Sequence, residues 1–372
     1  MGNRASIAQQ PGAPPPLLSA AVMGDWEKFQ SAWKEEDKRL ATDSQQNNCL
    51  HALFSCRVPD AKCDDILKRI HEDLPAAQIA DLYGSRNNLG CTPLWILIAY
   101  GNVPLLKQVQ DAIENNSDAS LNVAEMMLVP NHQGDSPLLA TCSQGNTEMV
   151  QYLKDHHMTT EQFTDLLFQG NEKGTTPLQI VIGNGHLTLL QYLLKETGCF
   201  SSKEQRQQLL QTNAAGLSLF HICSERNFYT GLQVLLEHMI ATKKSSDDDN
   251  GNSNASAFEA LEEVLAVKDK NKANALHVAG FCGNEEAVQE WVNIVETATS
   301  KLEKSEEKKV DLLDKMDGQA RTAYWLAMVQ GHETIGKILA AEGVDTKHPK
   351  MVQEIEEALQ RRMEKQKQKQ KQ

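Results

Sequence analysis

The sequence predicts an all-α fold, a solenoid of stacked helix–turn–helix units with extra short helices between repeats. Three observations carry that prediction. A block of the form Gly-x-Thr/Ser-Pro-Leu recurs, as "GCTPLWILIAYGN" from Gly90, "GDSPLLATCSQGN" from Gly134 and "GTTPLQIVIGNGH" from Gly174. Each block leads into a second apolar stretch, such as "MVQYL" from Met149, "LLQYLL" from Leu189 and "GLQVLL" from Gly231. The intervals between blocks hold more chain than two short helices need, and the surplus is similar in design each time.

The first helix of a unit has a start and a stop in its composition. Thr92, Ser136, Thr176 and Ser218 can each lend a side-chain oxygen to an orphan backbone N–H. Pro93, Pro137 and Pro177 follow at the first helical position, where no N–H is needed. Leu94, Leu138, Leu178, Phe220, Leu276 and Tyr324 then open an apolar face. Gly101, Gly145, Gly185, Gly283 and Gly331 close the helix, where a left-handed residue favours glycine. Asn227 and Arg57 stand at that place in two other units, and Asn adopts the conformation more readily than Arg. Weaker blocks start at Gly216, Asn274 and Arg321, and two more precede the series, from Pro16 and Asn47. The equivalent core positions are 17, 50, 94, 138, 178, 220, 276 and 324, at intervals of 33, 44, 44, 40, 42, 56 and 48. One unit is too small to bury its own face, so the units must stack into a continuous core.

The surplus segments share a polar start, a short apolar pair and an Asn/Asp/Gly-rich end. "TTEQFTDLLFQGNEKG" (159–174) and "SSKEQRQQLLQTNAAG" (201–216) are the clearest, with others ending at Gly90, Gly134 and Gly318. They predict one extra helix per interval on the convex or edge side. Their "TTEQ" and "SSKEQ" openings predict capping boxes between Ser/Thr and Glu. The longest interval contains a polar stretch, 243–256, read as a loop. Its Asp247, Asp248 and Asp249 lack the alternating ligands of a calcium loop.

These blocks resemble the ankyrin repeat, whose core reads G-x-T-P-L-H-x-A-A-x-x-G-H. The resemblance implies a protein-binding array with a groove built from finger tips and first-helix faces. It places His51, His221 and His277 at the His position, where a ring nitrogen bonds the neighbouring turn. Trp95 and Trp325 replace that His, either as packing plates between repeats or as aromatic anchors for a partner. It makes Asn131, His132, Gln133, Asn171, Glu172 and Lys173 the finger-tip candidates for protein binding, with Asn213 and Ala214 in the next finger. Ile96, Ala140 and Ile180 would face the groove, and Cys142 and Cys223 fall at its small Ala positions.

Composition sets outer bounds. The 372 residues are 40% apolar, enough for a core, and carry a net charge of −13, which argues against nucleic acid as partner. The eight cysteines form no C-x-x-C pair and read as packed, reduced thiols. No hydrolase, P-loop or zincin motif is present, and His156–His157 is a pair without further ligands, so no catalytic, cofactor or metal site is predicted. An enzyme with an unusual site in the insertions, and a microbial effector acting in a host cell, stand as alternatives.

The ends differ from the array. Residues 1–13 form an N-terminal segment opening "MGNRAS", which fits the myristoylation pattern with Gly2 as acceptor. The array is assigned to 14–346 and a tail to 347–372. In the tail Met351, Ile355, Leu359 and Met363 recur every four residues, predicting a helix that caps the last repeat. From Arg361 onward the tail is basic, with Glu364 the lone acid. One acyl chain binds membranes only marginally, and such a tail can supply the second signal on an anionic surface. The expectation is a monomeric cytoplasmic protein, tethered at the cytoplasmic face of a membrane and binding another protein.

Overall fold

The computed structural model describes residues 15–35, 39–55, 60–115, 122–246 and 253–369. Gly2, Arg57 and Asp247–Asp249 lie outside them. The chain divides into two compact units, one up to Pro177 and one from Leu178.

The first unit holds α1 (Pro16–Met23), α2 (Trp26–Trp33), α3 (Cys49–Phe54), α4 (Asp60–Asp73), α5 (Ala76–Gly84), α6 (Pro93–Tyr100), α7 (Val103–Asn115), α8 (Val123–Met126), α9 (Pro137–Gln144), α10 (Thr147–His157) and α11 (Thr160–Phe168). The second holds α12 (Pro177–Gly183), α13 (Leu187–Lys195), α14 (Lys203–Gln208), α15 (Leu219–Glu225), α16 (Tyr229–Ser246), α17 (Ser253–Ala266), α18 (Ala275–Cys282), α19 (Glu285–Thr299), α20 (Ser305–Leu313), α21 (Ala323–Gln330), α22 (Glu333–Ala341) and α23 (Pro349–Lys369). All described secondary structure is helical.

First helices stack on first helices, α1 on α3 on α6 on α9, and separately α15 on α18 on α21. Each starts where its sequence says. Thr92 Oγ1 accepts the Trp95 N–H at 3.1 Å, Ser136 Oγ that of Leu139 at 3.1 Å and Thr322 Oγ1 that of Trp325 at 3.2 Å. α1, α6, α9, α18 and α21 end at a left-handed glycine, Gly101 with φ 74° and Gly145 with φ 70° among them, whereas Ser55 after α3 and Arg226 after α15 are right-handed. The seams between them are dry: Leu94, Leu97, Ile98, Phe220, Cys142 and Cys223 are fully buried. Tyr324 is the exception among the predicted core positions and is only half-buried.

The inserted helices are part of the core. Phe163 and Leu167 of α11 are fully buried, as are Leu312 and Leu313 around the end of α20. α11 and α14 open with the expected capping boxes, but the reciprocal partners are Gln162 and Gln205. Counting three residues on from the caps Thr159 and Ser202 lands on Gln, one place past the Glu. The polar stretch 243–256 is shorter than read: α16 runs to Ser246 and α17 starts at Ser253. Ala257, Ala260, Leu261, Val264 and Leu265 give α17 a buried helical stripe.

The tail helix α23 packs on α21. Met351 and Ile355 are buried, Leu359 is half-buried and Met363 is exposed, so only the first half of the predicted stripe is used. α23 stands where a ninth first helix would stand. Along the stack, a Cβ on the closing Gly101 would meet Asn146, and one on Gly283 would meet His332; a Cβ on Gly331 would meet Arg362 of α23.

Candidate protein-binding face

Seven finger turns share one construction. An Asx residue opens each: Asp43, Asn87, Asn131, Asn171, Asn213, Asp269 and Asp317. Its Oδ1 accepts the backbone N–H groups two and four residues on, at 2.8 to 3.0 Å in every turn. The residue three places on is left-handed: Gln46, Gly90, Gly134, Gly174, Gly216, Lys272 and Ala320. Local side-chain bonding of this kind is why Asn and Asp lead such turns.

Successive tips are then tied by backbone. In the first unit the N–H of Asn88 bonds Gln45 O at 2.9 Å, that of His132 bonds Leu89 O at 2.9 Å and that of Glu172 bonds Gln133 O at 3.1 Å. In the second, the Gly318 N–H bonds Asn271 O at 3.3 Å. The approach leaves no room at Gly134, where a Cβ would sit 2.9 Å from the Glu172 nitrogen.

The finger-tip candidates therefore separate into two kinds. Asn131 and Asn171 build the tips, and their Nδ2 groups also donate to Asp135, at 3.3 Å and 2.7 Å. His132, Gln133, Glu172 and Lys173 are exposed. Asn213 repeats the builder role, with its Oδ1 on Ala215 and Leu217. Asn171→Ala leaves two backbone donors and the Asp135 carboxylate short of a partner, and is expected to cost roughly 2 kcal/mol. Lys173→Ala is expected to stay within about 0.5 kcal/mol. Urea unfolding of the two variants side by side checks the difference.

The His position ties each first helix to the next turn. His51 Nε2 donates to Cys91 O at 3.0 Å, His221 Nε2 to Ala273 O at 3.1 Å and His277 Nε2 to Arg321 O at 3.0 Å. Each acceptor immediately precedes a helix cap. Trp95 does the same job with its indole, donating to Asp135 O at 2.9 Å. Trp325 has no following turn and donates to Glu354 of α23 at 3.0 Å. Both tryptophans thus have structural partners, and their rings are half-buried. Burial pulls all three imidazoles below the ordinary range, His277 to about 4, so they are neutral and carry the proton on Nε2.

Ile96, Ala140 and Ile180 are half-buried on the first helices. Ile96 lines a cavity of the first unit, about 450 Å³, between α1, α3 and α6. Its apolar wall is Leu18, Val22, Met23, Ala52, Ile96 and Tyr100. Met23 is 80% exposed, Tyr100 53% and Val22 49%. The signal for them was the large apolar residue just before Gly24 and Gly101, in a last turn that faces solvent.

Among the described residues, no three His, Cys, Asp or Glu side chains converge as metal ligands. His156 stacks on Tyr152, and His157 bonds Gln110 of α7 at 2.6 Å. Six of the described cysteines are buried and Cys282 is exposed. Burial pushes the Cys49 thiol up to about 12 and the Cys91 thiol to about 11. No described helix is long and apolar enough to cross a membrane.

A family model for ankyrin repeats, in three copies, matches residues 109–206. Leucine-rich repeat serine/threonine-protein kinase 1 of Caenorhabditis elegans is 24% identical over 208 residues, 54% of this chain. The match spans only 7% of the kinase's length. Among solved structures, the ankyrin repeat domain of Bcl-3 is similar at 13% identity and a TM-score of 0.47, covering 74% of this chain and 97% of that one. The helix pairs α9–α10 and α12–α13 and the Asx-led fingers at Asn131 and Asn171 lie within the matched residues, and residues 109–206 of this chain are ankyrin repeats.

Proposed function

We propose that this protein is a non-enzymatic scaffold that binds another protein across its finger tips and first-helix faces. We further propose that an acyl chain on Gly2 and the basic tail hold it to an anionic membrane surface. Ankyrin repeats are protein–protein interaction modules, and arrays of this kind present their variable side chains on a rigid frame. The observation that carries the reading is the division of labour in the fingers. The Asx residue and the left-handed residue build each turn, and the two positions between them contribute backbone to it while their side chains take no part in its hydrogen bonds. In consecutive fingers those positions hold His132, Gln133, Glu172 and Lys173, all exposed.

The tether rests on "MGNRAS" and on the charge of α23. Beyond Glu357 that helix carries Arg361, Arg362, Lys365, Lys367 and Lys369 against Glu364, in a chain whose net charge is −13. An anionic bilayer attracts such a segment, and the attraction is screened by salt.

The test is capture of a saturable partner by the chain expressed in a eukaryotic cell. The double variant Gln133→Ala/Lys173→Glu, with unchanged thermal unfolding, is expected to lose that partner. Retention of the partner by the variant would count against the finger tips. Intact mass of the same preparation reads the tether: loss of Met1 with gain of a C14 acyl group, abolished by Gly2→Ala. An N-acetylated or unmodified start removes the lipid from the reading and leaves the scaffold.

A further inference from the structure

The cavity of the first unit has an unusual wall. Five of its polar lining side chains are hydrogen-bonded to one another and to the backbone. Asp43 Oδ1 accepts from Gln45 and Asn47, and its Oδ2 accepts from Asn47 Nδ2 at 3.0 Å. Asn47 Oδ1 accepts from Asn87 Nδ2 at 2.9 Å, and Asn87 Oδ1 accepts from Leu89 and Cys91. His51 Nε2 is committed to Cys91 O, and Ser55 Oγ donates to Ala52 O at 2.9 Å. A peptide laid here would compete with those internal bonds for partners of its N–H and C=O groups, and unmet polar groups are costly. An occupant without polar atoms needs no partner from that wall, and it covers the exposed faces of Met23, Val22 and Tyr100.

We propose that this cavity seats the acyl chain carried by Gly2 of the same molecule, so that the lipid has a retracted state as well as a membrane-inserted one. The proposal rests on the acylation reading above. Its second support is where the N-terminal segment joins the fold. Residues 2–14 connect at Pro15 to α1, and α1 supplies Leu18, Ser19, Val22 and Met23 to the cavity. Those thirteen residues span up to ~40 Å when extended, against ~12 Å for the whole of α1, so Gly2 can reach back to the cavity mouth. A shallower depression bordered by Pro16, Ser19 and Met23 runs from the start of α1 and shares its last two residues with the cavity. The cavity's 450 Å³ lies in the range of sites that enclose a ligand of this size.

Retraction and insertion draw on one acyl chain, so the seat lowers apparent membrane affinity by the fraction of molecules retracted. The experiment uses the full chain made with an N-myristoyltransferase in bacteria, with acylation verified by intact mass. Val22→Asn/Met23→Gln alters two exposed side chains and is expected to keep the native circular dichroism. Acylated V22N/M23Q is expected to bind neutral phosphatidylcholine vesicles about tenfold more tightly than the acylated parent if nine molecules in ten are retracted. In ¹³C-methyl methionine spectra, the Met23 signal of the acylated chain is expected to differ from that of the Gly2→Ala chain. Coincident Met23 signals, or equal vesicle binding by parent and variant, overturn the seat and leave the tether standing. A chain that the transferase leaves unacylated overturns both. Vesicle binding that the substitution raises equally in the Gly2→Ala background is a general surface effect and also overturns the seat.

Discussion

Phe163→Ala is expected to destabilise the first unit by about 3–5 kcal/mol, the usual cost of emptying a fully buried aromatic site. Phe163 lies on α11, a helix that the basic two-helix repeat does not contain, and its exposure is 0%. Leu167, one turn on, is equally buried. If α11 were an ornament on a self-sufficient stack, removing the ring would cost only the small sum typical of surface changes. Urea unfolding followed by tryptophan fluorescence decides. A loss below about 1 kcal/mol would show that the insertion is dispensable to the core.

The second large effect is a loss of stability in acid through the His-position ties. The native pKa of His277 is near 4, against about 6.5 for an unhindered imidazole, because burial penalises the charged ring. Above pH 6.5 the ring is neutral in both the folded and the unfolded chain, and stability is full. As pH falls below 6.5 the unfolded chain takes up a proton that the fold refuses, so stability drops until about pH 4. The span is worth roughly 3 kcal/mol for His277 alone. His51 and His221 are shifted in the same direction for the same reason. His277→Gln keeps a donor for Arg321 O and removes one titrating group. Its unfolding free energy is expected to fall less steeply than the parent's between pH 6.5 and 4.5. Parallel slopes would mean that His277 is not a source of the acid sensitivity.

How much of this was legible follows from what each signal encodes. Caps and stops are local, so Thr92, Ser136, Gly101 and Gly145 could be placed from sequence alone. The His position was legible by resemblance, and its Trp replacements were left open between two roles. Each indole N–H has a partner in the structure: Trp95 reaches Asp135 O, a contact across 40 residues that no local pattern encodes. The finger tips were found, but builders and free positions were mixed, because Asn131 as a letter does not say whether its amide faces solvent or its own turn. α17 was missed although Ala257, Ala260, Leu261, Val264 and Leu265 follow a helical period. The polar run before it drew the boundary too late. The cavity was beyond reach, since it is made where α1, α3 and α6 meet.

The place taken by α23 has a consequence for assembly. A stack of like units offers its last face to any other copy, and a head-to-tail contact of that kind does not close on itself and propagates into fibres. Here the last first helix already has a neighbour of different character: Trp325 is hooked to the carboxylate of Glu354 at 3.0 Å, and Arg362 bonds Gln330 at 3.1 Å. The outward side of that neighbour carries Gln353, Glu356, Glu357, Gln360 and Arg361, all exposed. A charged outer surface on that helix is expected to disfavour such a contact, as lysines on an edge strand do for a sheet.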